Sequence, residues 1–323
     1  MKKSAERAFC LGLVLFAALI RLLCAMQALP EPADEPGVLT LRIASADPAP
    51  VPQTPVREVR AVEVPMPLCF SAAEAGEIPV GGACSYSFDK AALLTQRTAL
   101  DFSGDGPKVL IVHTHSSEAY TQEAGFEYTP SDPLRTEDAR CSVIRVGQEL
   151  AERLNEAGIE TLHDSALNDY PNYNGAYERM RQTISAYLAE YPSIQMVLDV
   201  HRDAASDASG APAALSSTQS GERCAQLMLV VGTDQGGLSH PDWQENLANA
   251  LKLQALLNRS APGLCRALDL RTERFNQHLT PGSLLIEFGS TGNTLTEALR
   301  SARIFADALS AFILAGQAEP QAG

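Results

Sequence analysis

Basic charge is what this sequence has least of. Its 25 lysines and arginines face 39 aspartates and glutamates, a formal net charge of −14, and only a handful of the cations are lysines. Lys2 and Lys3 form its one basic run. Phosphate backbones are gripped by clustered Lys and Arg, so nucleic acid is excluded as the main partner. Paired cysteines are missing too. Cys10, Cys24, Cys69, Cys84, Cys141, Cys224 and Cys265 show no short spacing, which excludes a cysteine zinc cluster. Cys69 and Cys84 are near enough in sequence for a disulfide in an exported chain. Because the total is odd, no framework emerges and the pairing stays open.

Two catalytic signatures are also absent. There is no Gly-x-Ser-x-Gly elbow for a hydrolase serine. The Gly-rich stretch Gly232–Gly237 lacks the Lys-Ser/Thr of a phosphate loop and reads as a turn. Cys224 precedes an apolar run and has no identifiable partner as a nucleophile.

What is present begins with an apolar N-terminus. Lys2, Lys3 and Arg7 precede the run Ala8–Ile20, followed by Arg21 and Leu22–Met26. A charged start and a run near the roughly twenty residues that cross a bilayer read as a signal-anchor over residues 1–28. Arg21 would snorkel at its outer end. Positive charge ahead of the segment leaves the N-terminus inside and the remainder outside the cytoplasm. A cleaved signal peptide is the alternative, and no small-x-small site supports it. Residues 29–67 then carry proline after proline, from Pro30 to Pro67, as befits an extended spacer. Within it Leu39, Leu41 and Ile43 alternate with polar residues in the manner of a short strand.

A small, weakly patterned region covers residues 68–106, and regular alternation starts after it. Strands are expected at Val109–Val112, Ile159–Leu162, Ile194–Val200, Leu227–Val231 and Leu284–Phe288. Between them fall helical faces: Val143 to Leu154 ending at Gly158, Tyr177 to Leu188 ending before Pro192, a helix begun by Pro241, and a last one from Leu295 to Leu309. Strands alternating with amphipathic helices mean an α/β domain, a mostly parallel sheet flanked by helices, over residues 107–316 with a tail at 317–323. In such sheets the chemistry collects at the carboxyl ends of the strands.

That rule selects a few residues. His113 and His115 follow Val109–Val112, and two residues apart in extended chain they would share one face. His201 follows Val200, and Glu287 closes Leu284-Leu285-Ile286. A carboxylate among Leu and Ile is costly unless paired or near a cation, and a metal would relieve the cost. Imidazole and carboxylate suit zinc, whose catalytic sites use three protein ligands and a water. Glu287 is the candidate general base; apolar flanks would raise its pKa and the metal charge would oppose that rise.

The strings HTHSSEAY at His113–Tyr120, DVHRDA at Asp199–Ala204 and PGSLLIEFGSTGNT at Pro281–Thr294 resemble the stage II sporulation protein P family. Leu229–Thr233, Pro241–Asn246 and Arg274–Gln277 fit it too. The resemblance implies an amidase-like fold, similar to the zinc N-acetylmuramoyl-L-alanine amidases, and a membrane-anchored peptidoglycan hydrolase of endospore-forming bacteria with endopeptidase activity on cross-links. It implies work in septal wall removal and engulfment at the forespore, with stage II sporulation proteins D and M as partners. By position it makes His115 and His201 zinc ligands and Glu287 the catalytic glutamate. The third ligand stays open: Glu118 belongs to the matched motif, while Glu137 and Asp138 lie where the related amidases carry theirs. His113 is left to orient substrate or to ligate in place of its neighbour. Arg202 is a candidate for a stem-peptide carboxylate or for a salt bridge to Asp203 or Asp199. Asn276 and Asn293, within the matched strings, are placed with substrate or in support of the site.

Two other readings compete. A metal-dependent amidohydrolase whose first strand ends His113-x-His115 would need a larger barrel and more strand-end ligands than His163, His240 and His278 supply. A non-catalytic wall-binding module would not require His115, His201 and Glu287 together.

Overall fold

The computed structural model describes residues 68–318. The expected membrane segment, the proline-rich spacer and the short Leu39–Ile43 strand lie outside the described residues. Among the described residues no helix is long and apolar enough to cross a membrane, and no disulfide forms, Cys69 and Cys84 both being free.

The weakly patterned region shares one core with the larger strands and helices C-terminal to it. A one-and-a-half-turn helix α1 (Ala72–Glu77) starts at a capping box, Ser71 with Glu74, and leads to β1 (Val80–Gly81). Helix α2 (Lys90–Thr95) comes next, its first turn capped by the Asp89 side chain. Ile78, Leu94 and Phe102 are fully buried in the main apolar cluster. Short length and mixed polarity hide these elements from any periodicity.

Then come β2 (Val109–Val112), α3 (Val143–Glu156), β3 (Thr161–His163), α4 (Ala176–Glu190) and β4 (Met196–Asp203). The expected Ile159–Leu162 strand starts two residues late. Gly158 takes a positive φ of 82° and Ile159 N–H returns to Leu154 O at 2.9 Å, so these residues close α3 and do not pair. A hairpin, β5 (Ser216–Gln219) and β6 (Glu222–Ala225), precedes β7 (Leu227–Gly232). Helix α5 (Trp243–Ser260) begins two residues after Pro241. The chain ends with β8 (Leu268–Arg271), β9 (Gly282–Ser290) and α6 (Leu295–Ala318).

Seven strands form the main sheet in the order β1-β8-β7-β9-β4-β2-β3. Every neighbouring pair is parallel except β7 and β9, which are antiparallel. The sheet is therefore two parallel blocks running in opposite directions and joined at β7/β9. Side-chain alternation divides its faces. Ile111, Leu198, Val200, Leu284, Ile286, Leu229 and Val231 pack with α3, α5 and α6. Leu110, Val112 and Val197 pack with Met180 and Ile184 of α4.

His113 lies on the α3 side, wholly buried. The strand ends at Val112 and residues 114–117 form a turn, so the two-residue alternation that would align His113 with His115 is broken. Gly147 of α3 faces it. An alanine Cβ there would stand 2.6 Å from His113 Cε1 and 2.8 Å from His163 Nε2. Alanine in a helix interior is favoured over glycine by about 1 kcal/mol, but overpacking two rings that hydrogen-bond each other costs about 1–3 kcal/mol. The clash wins: Gly147→Ala should lower the urea midpoint, and a more stable variant would show that the His113 and His163 rings yield freely.

Candidate active site

The site lies at the carboxyl end of the β2/β4/β9 block. Strand β4 runs three residues past the expected end at Val200, because its pairing with β9 continues through His201↔Glu287. His201 thus sits within the strand, on the α4 side with Val197 and Asp199, directly beside Glu287. The register shifts between His201 and Asp203, a bulge of the kind that re-aims side chains at a strand end.

Around His201 the contacts are carboxylates. Its Nδ1 lies 3.4 Å from Glu118 Oε2 and its Nε2 2.9 Å from Asp199 Oδ1, the latter too bent for a hydrogen bond. Asp199 is fixed from the other side: Thr114 N–H donates to Oδ1 at 2.8 Å and Thr114 Oγ1 to Oδ2 at 2.6 Å. Burial alone would lower the His201 pKa, but Asp199 and Glu118 raise it well above the ordinary range. Glu118 is the mirror case. Burial pushes it up, yet His201, Arg202 and His115 hold it below the usual carboxylate value.

His115 meets His201 edge to face, ring centres 5.4 Å apart. Tyr173 stacks flat on it at 4.5 Å, with its hydroxyl 3.2 Å from Nε2. Behind His115 is Asp169, its Oδ2 3.7 Å from Nδ1. Asp169 accepts from Ser116 Oγ, from the Ser117 N–H and hydroxyl, and from Arg135 at 2.5 Å. Arg135 in turn reaches to 3.7 Å from Glu118 and covers the Tyr173 ring. A cleft of about 360 Å³ opens beside this group, lined by Ser117, Arg135, Asp169 and Tyr173 among others.

Glu287 keeps part of its surface open while its Oε2 is buried without a hydrogen-bond partner. Burial pushes its pKa up to about 8; His201 and Arg266 pull down, and Glu118 and Asp203 push with the burial.

The other candidate residues are engaged elsewhere or stand apart from this centre. Both His113 nitrogens are taken, Nδ1 with Val200 O at 3.0 Å and Nε2 with His163 Nε2 at 2.9 Å; burial, then His163, lower its pKa to about 3. Arg202 bonds neither Asp203 nor Asp199. Its Nε and Nη2 donate to Ala119 O and Leu134 O, and its Nη1 stands 3.8 Å from Glu118. Asp138 is taken by Arg140, and Glu137 is exposed. Asn276 holds Tyr177 O. Asn293 is buried in the turn after β9, between Ser290, Leu215 and Glu297. Asp169 and Tyr173 come from an irregular loop with no period or motif, which is why sequence reasoning passed over them.

The donors can be weighed against a metal. Among the described residues no three His, Cys, Asp or Glu side chains stand together as a ready cage. The donors nonetheless fit zinc in kind. Glu287 Oε2 is buried with no hydrogen-bond partner, and the 3.4 Å between Glu118 Oε2 and His201 Nδ1 is close to the roughly 3.3 Å that separates two donors on one tetrahedral ion with bonds near 2.0 Å. The opposite nitrogen of His201 is turned to Asp199, as His115 Nδ1 is to Asp169.

Fold and site together define an α/β protein with a buried histidine–carboxylate centre at the carboxyl ends of parallel strands. The family model of Stage II sporulation protein P (SpoIIP) matches residues 72–310, and the chain belongs to that family. Stage II sporulation protein P of Bacillus subtilis (strain 168) is 30% identical over 219 residues, 64% of this chain and 51% of that protein. The chain thus matches about half the length of that curated relative. Among solved structures, the N-acetylmuramoyl-L-alanine amidase AmiC2 of Nostoc punctiforme is similar with a TM-score of 0.37 and 13% identity, over 65% of this chain and 97% of that one. The CwlD amidase of Clostridioides difficile, solved with the GerS lipoprotein, is similar with a TM-score of 0.37 and 15% identity, over 64% and 95%.

Asp169 gives a pH test of the site's framework. Burial opposes its charge, but the nearby His115 ring and hydrogen bonds from Ser117 and Ser116 hold its carboxyl well below the usual range. Its stabilisation is therefore complete above the unfolded value near 3.9 and lost as the pH falls below it. Asp169→Asn, which strands Arg135, should cost about 2–4 kcal/mol at pH 7 and flatten the acid limb of the unfolding midpoint below about pH 5. Parallel acid limbs in variant and wild type would contradict this.

Proposed function

We propose that this protein is a zinc-dependent peptidoglycan hydrolase that cleaves the amide between N-acetylmuramic acid and the L-alanine of the stem peptide. In this reading it works on the septal wall during sporulation and engulfment, tethered by its N-terminal segment with the catalytic domain outside the cytoplasm. Stage II sporulation proteins D and M are its partners, and cross-link peptide bonds are a second class of substrate to test. One observation carries it: the β4/β9 register sets Glu287 beside His201, with Glu118 at 3.4 Å from the same ring. Membership of the Stage II sporulation protein P family supports it.

His115, Glu118 and His201 would hold the zinc. Asp138 is spent on Arg140, which leaves Glu118 as the carboxylate best placed among the three candidates. Bound zinc supplies a Lewis acid that polarises the scissile carbonyl and acidifies a water. The chain's own groups do the rest. Glu287 takes the proton from the attacking water and returns it to the leaving nitrogen. Its burial suits it to hold that proton, since a carboxyl already pushed up to about 8 gains from protonation near neutrality; a cation nearby draws the value down toward the working range. Asp169 orients His115 from behind, and Asp199 does so for His201. A chemistry built on His113-x-His115 finds no support, because Val200 and His163 already occupy the His113 ring.

The test is direct. Zinc content of the purified chain is measured, and cross-linked peptidoglycan is digested and weighed by mass spectrometry. Free stem peptides and intact glycan are expected. Glu287→Gln should lower the rate by about 10²–10⁴-fold and leave zinc bound. A zinc-loaded protein that binds wall and cleaves nothing, even with its partner present, would instead make it a wall-binding module.

A further inference from the structure

Arg202 and Arg266 both reach the site, and they differ in what they have left to offer. Arg202 is spent on two backbone carbonyls and Glu118. Arg266 is not. Its Nη1 donates to Asp203 Oδ2 at 2.8 Å, while Asp203 Oδ1 accepts the Ala204 N–H at 2.7 Å, so the guanidinium plane is set from one end. Its Nε and Nη2 are buried and have no hydrogen-bond partner among the described residues. Those two atoms form the side edge of the guanidinium, from which two N–H bonds project in parallel. That edge matches the two oxygens of a carboxylate. Buried donors left unmade are costly, so each such pair calls for a partner.

Topology puts this edge beside the strand that carries Glu287. The Arg266 N–H bonds Leu227 O at 2.8 Å, which ties it to the amino end of β7. Leu227 pairs with Phe288, one residue past Glu287. The Arg266 charge is felt at the Glu287 carboxyl.

We propose that Arg266 binds a carboxylate of the substrate beside Glu287, with Asp203 holding the guanidinium in place. The inference rests on the peptidoglycan reading above, since stem peptides carry free carboxylates; it transfers to Arg266 the role that sequence gave to Arg202.

Binding is measured by calorimetry on the full chain stripped of metal, so cleavage does not enter. The probes are N-acetylmuramoyl-L-alanyl-D-glutamate with both glutamate carboxylates free and the same molecule with both amidated. The wild type should bind the free acid roughly 10- to 100-fold more tightly than the diamide. Arg266→Gln should bring the free acid down to the diamide's affinity and leave the diamide unchanged. Arg266→Lys keeps a cation for Asp203 without the parallel edge, and should recover only part of the difference; it carries the test if the glutamine variant fails to fold. Equal affinities in the wild type, no measurable binding of either probe, or a loss shared by both probes in the variants would overturn the proposal. Discrimination by a protein that leaves peptidoglycan intact when zinc-loaded would sink the hydrolase reading and leave the carboxylate site standing.

Discussion

The pairing of β4 with β9 constrains everything near the site. Its register runs from Met196↔Gly282 to His201↔Glu287, and its lower end is fixed by a small residue. A Cβ on Gly282 would stand 3.0 Å from the carbonyl carbon of Gln195 and 3.1 Å from Met196 Cα, so a larger side chain would force the strands apart where they begin. A slip of one residue would exchange the faces of β9. Ile286 would then stand beside His201 on the α4 side, and Glu287 would enter the apolar layer with α3, α5 and α6. Packing of Leu284, Ile286 and Phe288, all buried, therefore fixes the position of the Glu287 carboxyl beside His201.

Burying that carboxyl comes with a larger electrostatic problem, solved by alternation of charge. Asp169 meets Arg135, Arg135 meets Glu118, Glu118 meets both Arg202 and His201, and His201 meets Asp199, each within contact distance. Each carboxylate touches a cation, and backbone or hydroxyl donors fill most of the remaining lone pairs. Such a network adds little net stability compared with an apolar core, but removing one member leaves its neighbour charged and dry. The site is thus rigid because its parts are mutually dependent. Glu287 stands at the end of the chain of charges, next to His201 but without a hydrogen bond to its Oε2, which is why its carboxyl alone among them is driven upward.

The sequence shows the parts of this arrangement that depend on long apolar periods. Strands β2, β4, β7 and β9 and helices α3 to α6 announce themselves through buried runs and helical spacing, and the residues at their exits follow from the rule for parallel sheets. What stays hidden depends on pairing partners. Strand β1 has two residues, too few to display a period, and the four of β8 mix Leu with Asp and Arg where the four of β2 are an unbroken apolar run; β1 and β8 both exist because a neighbour completes them. The reversal at β7/β9 has no local signature, since strand direction is set by the path of the chain between elements. His113 looks equivalent to His115 until the turn at residues 114–117 sets one ring under α3 and the other between Tyr173 and His201. Asp169 is invisible for a related reason: its value lies in the donors contributed by Ser116, Ser117 and Arg135, and only folding gathers them.

The reversal also explains how an arginine outside the recognisable strings comes near Glu287. In a sheet that was parallel throughout, the loop from α5 to β8 would lead to the amino ends of all the strands, away from Glu287. Here β7 and β8 run against β9. The amino ends of the first block consequently share an edge with the carboxyl ends of the second. The α5–β8 loop arrives at that shared edge, and Arg266 pairs with Asp203, two residues beyond His201. A site in a fully parallel sheet can draw on strand-exit loops alone. This one draws on strand-entry loops as well, which lets a cation stand near Glu287 while Glu118 and Asp199 flank His201.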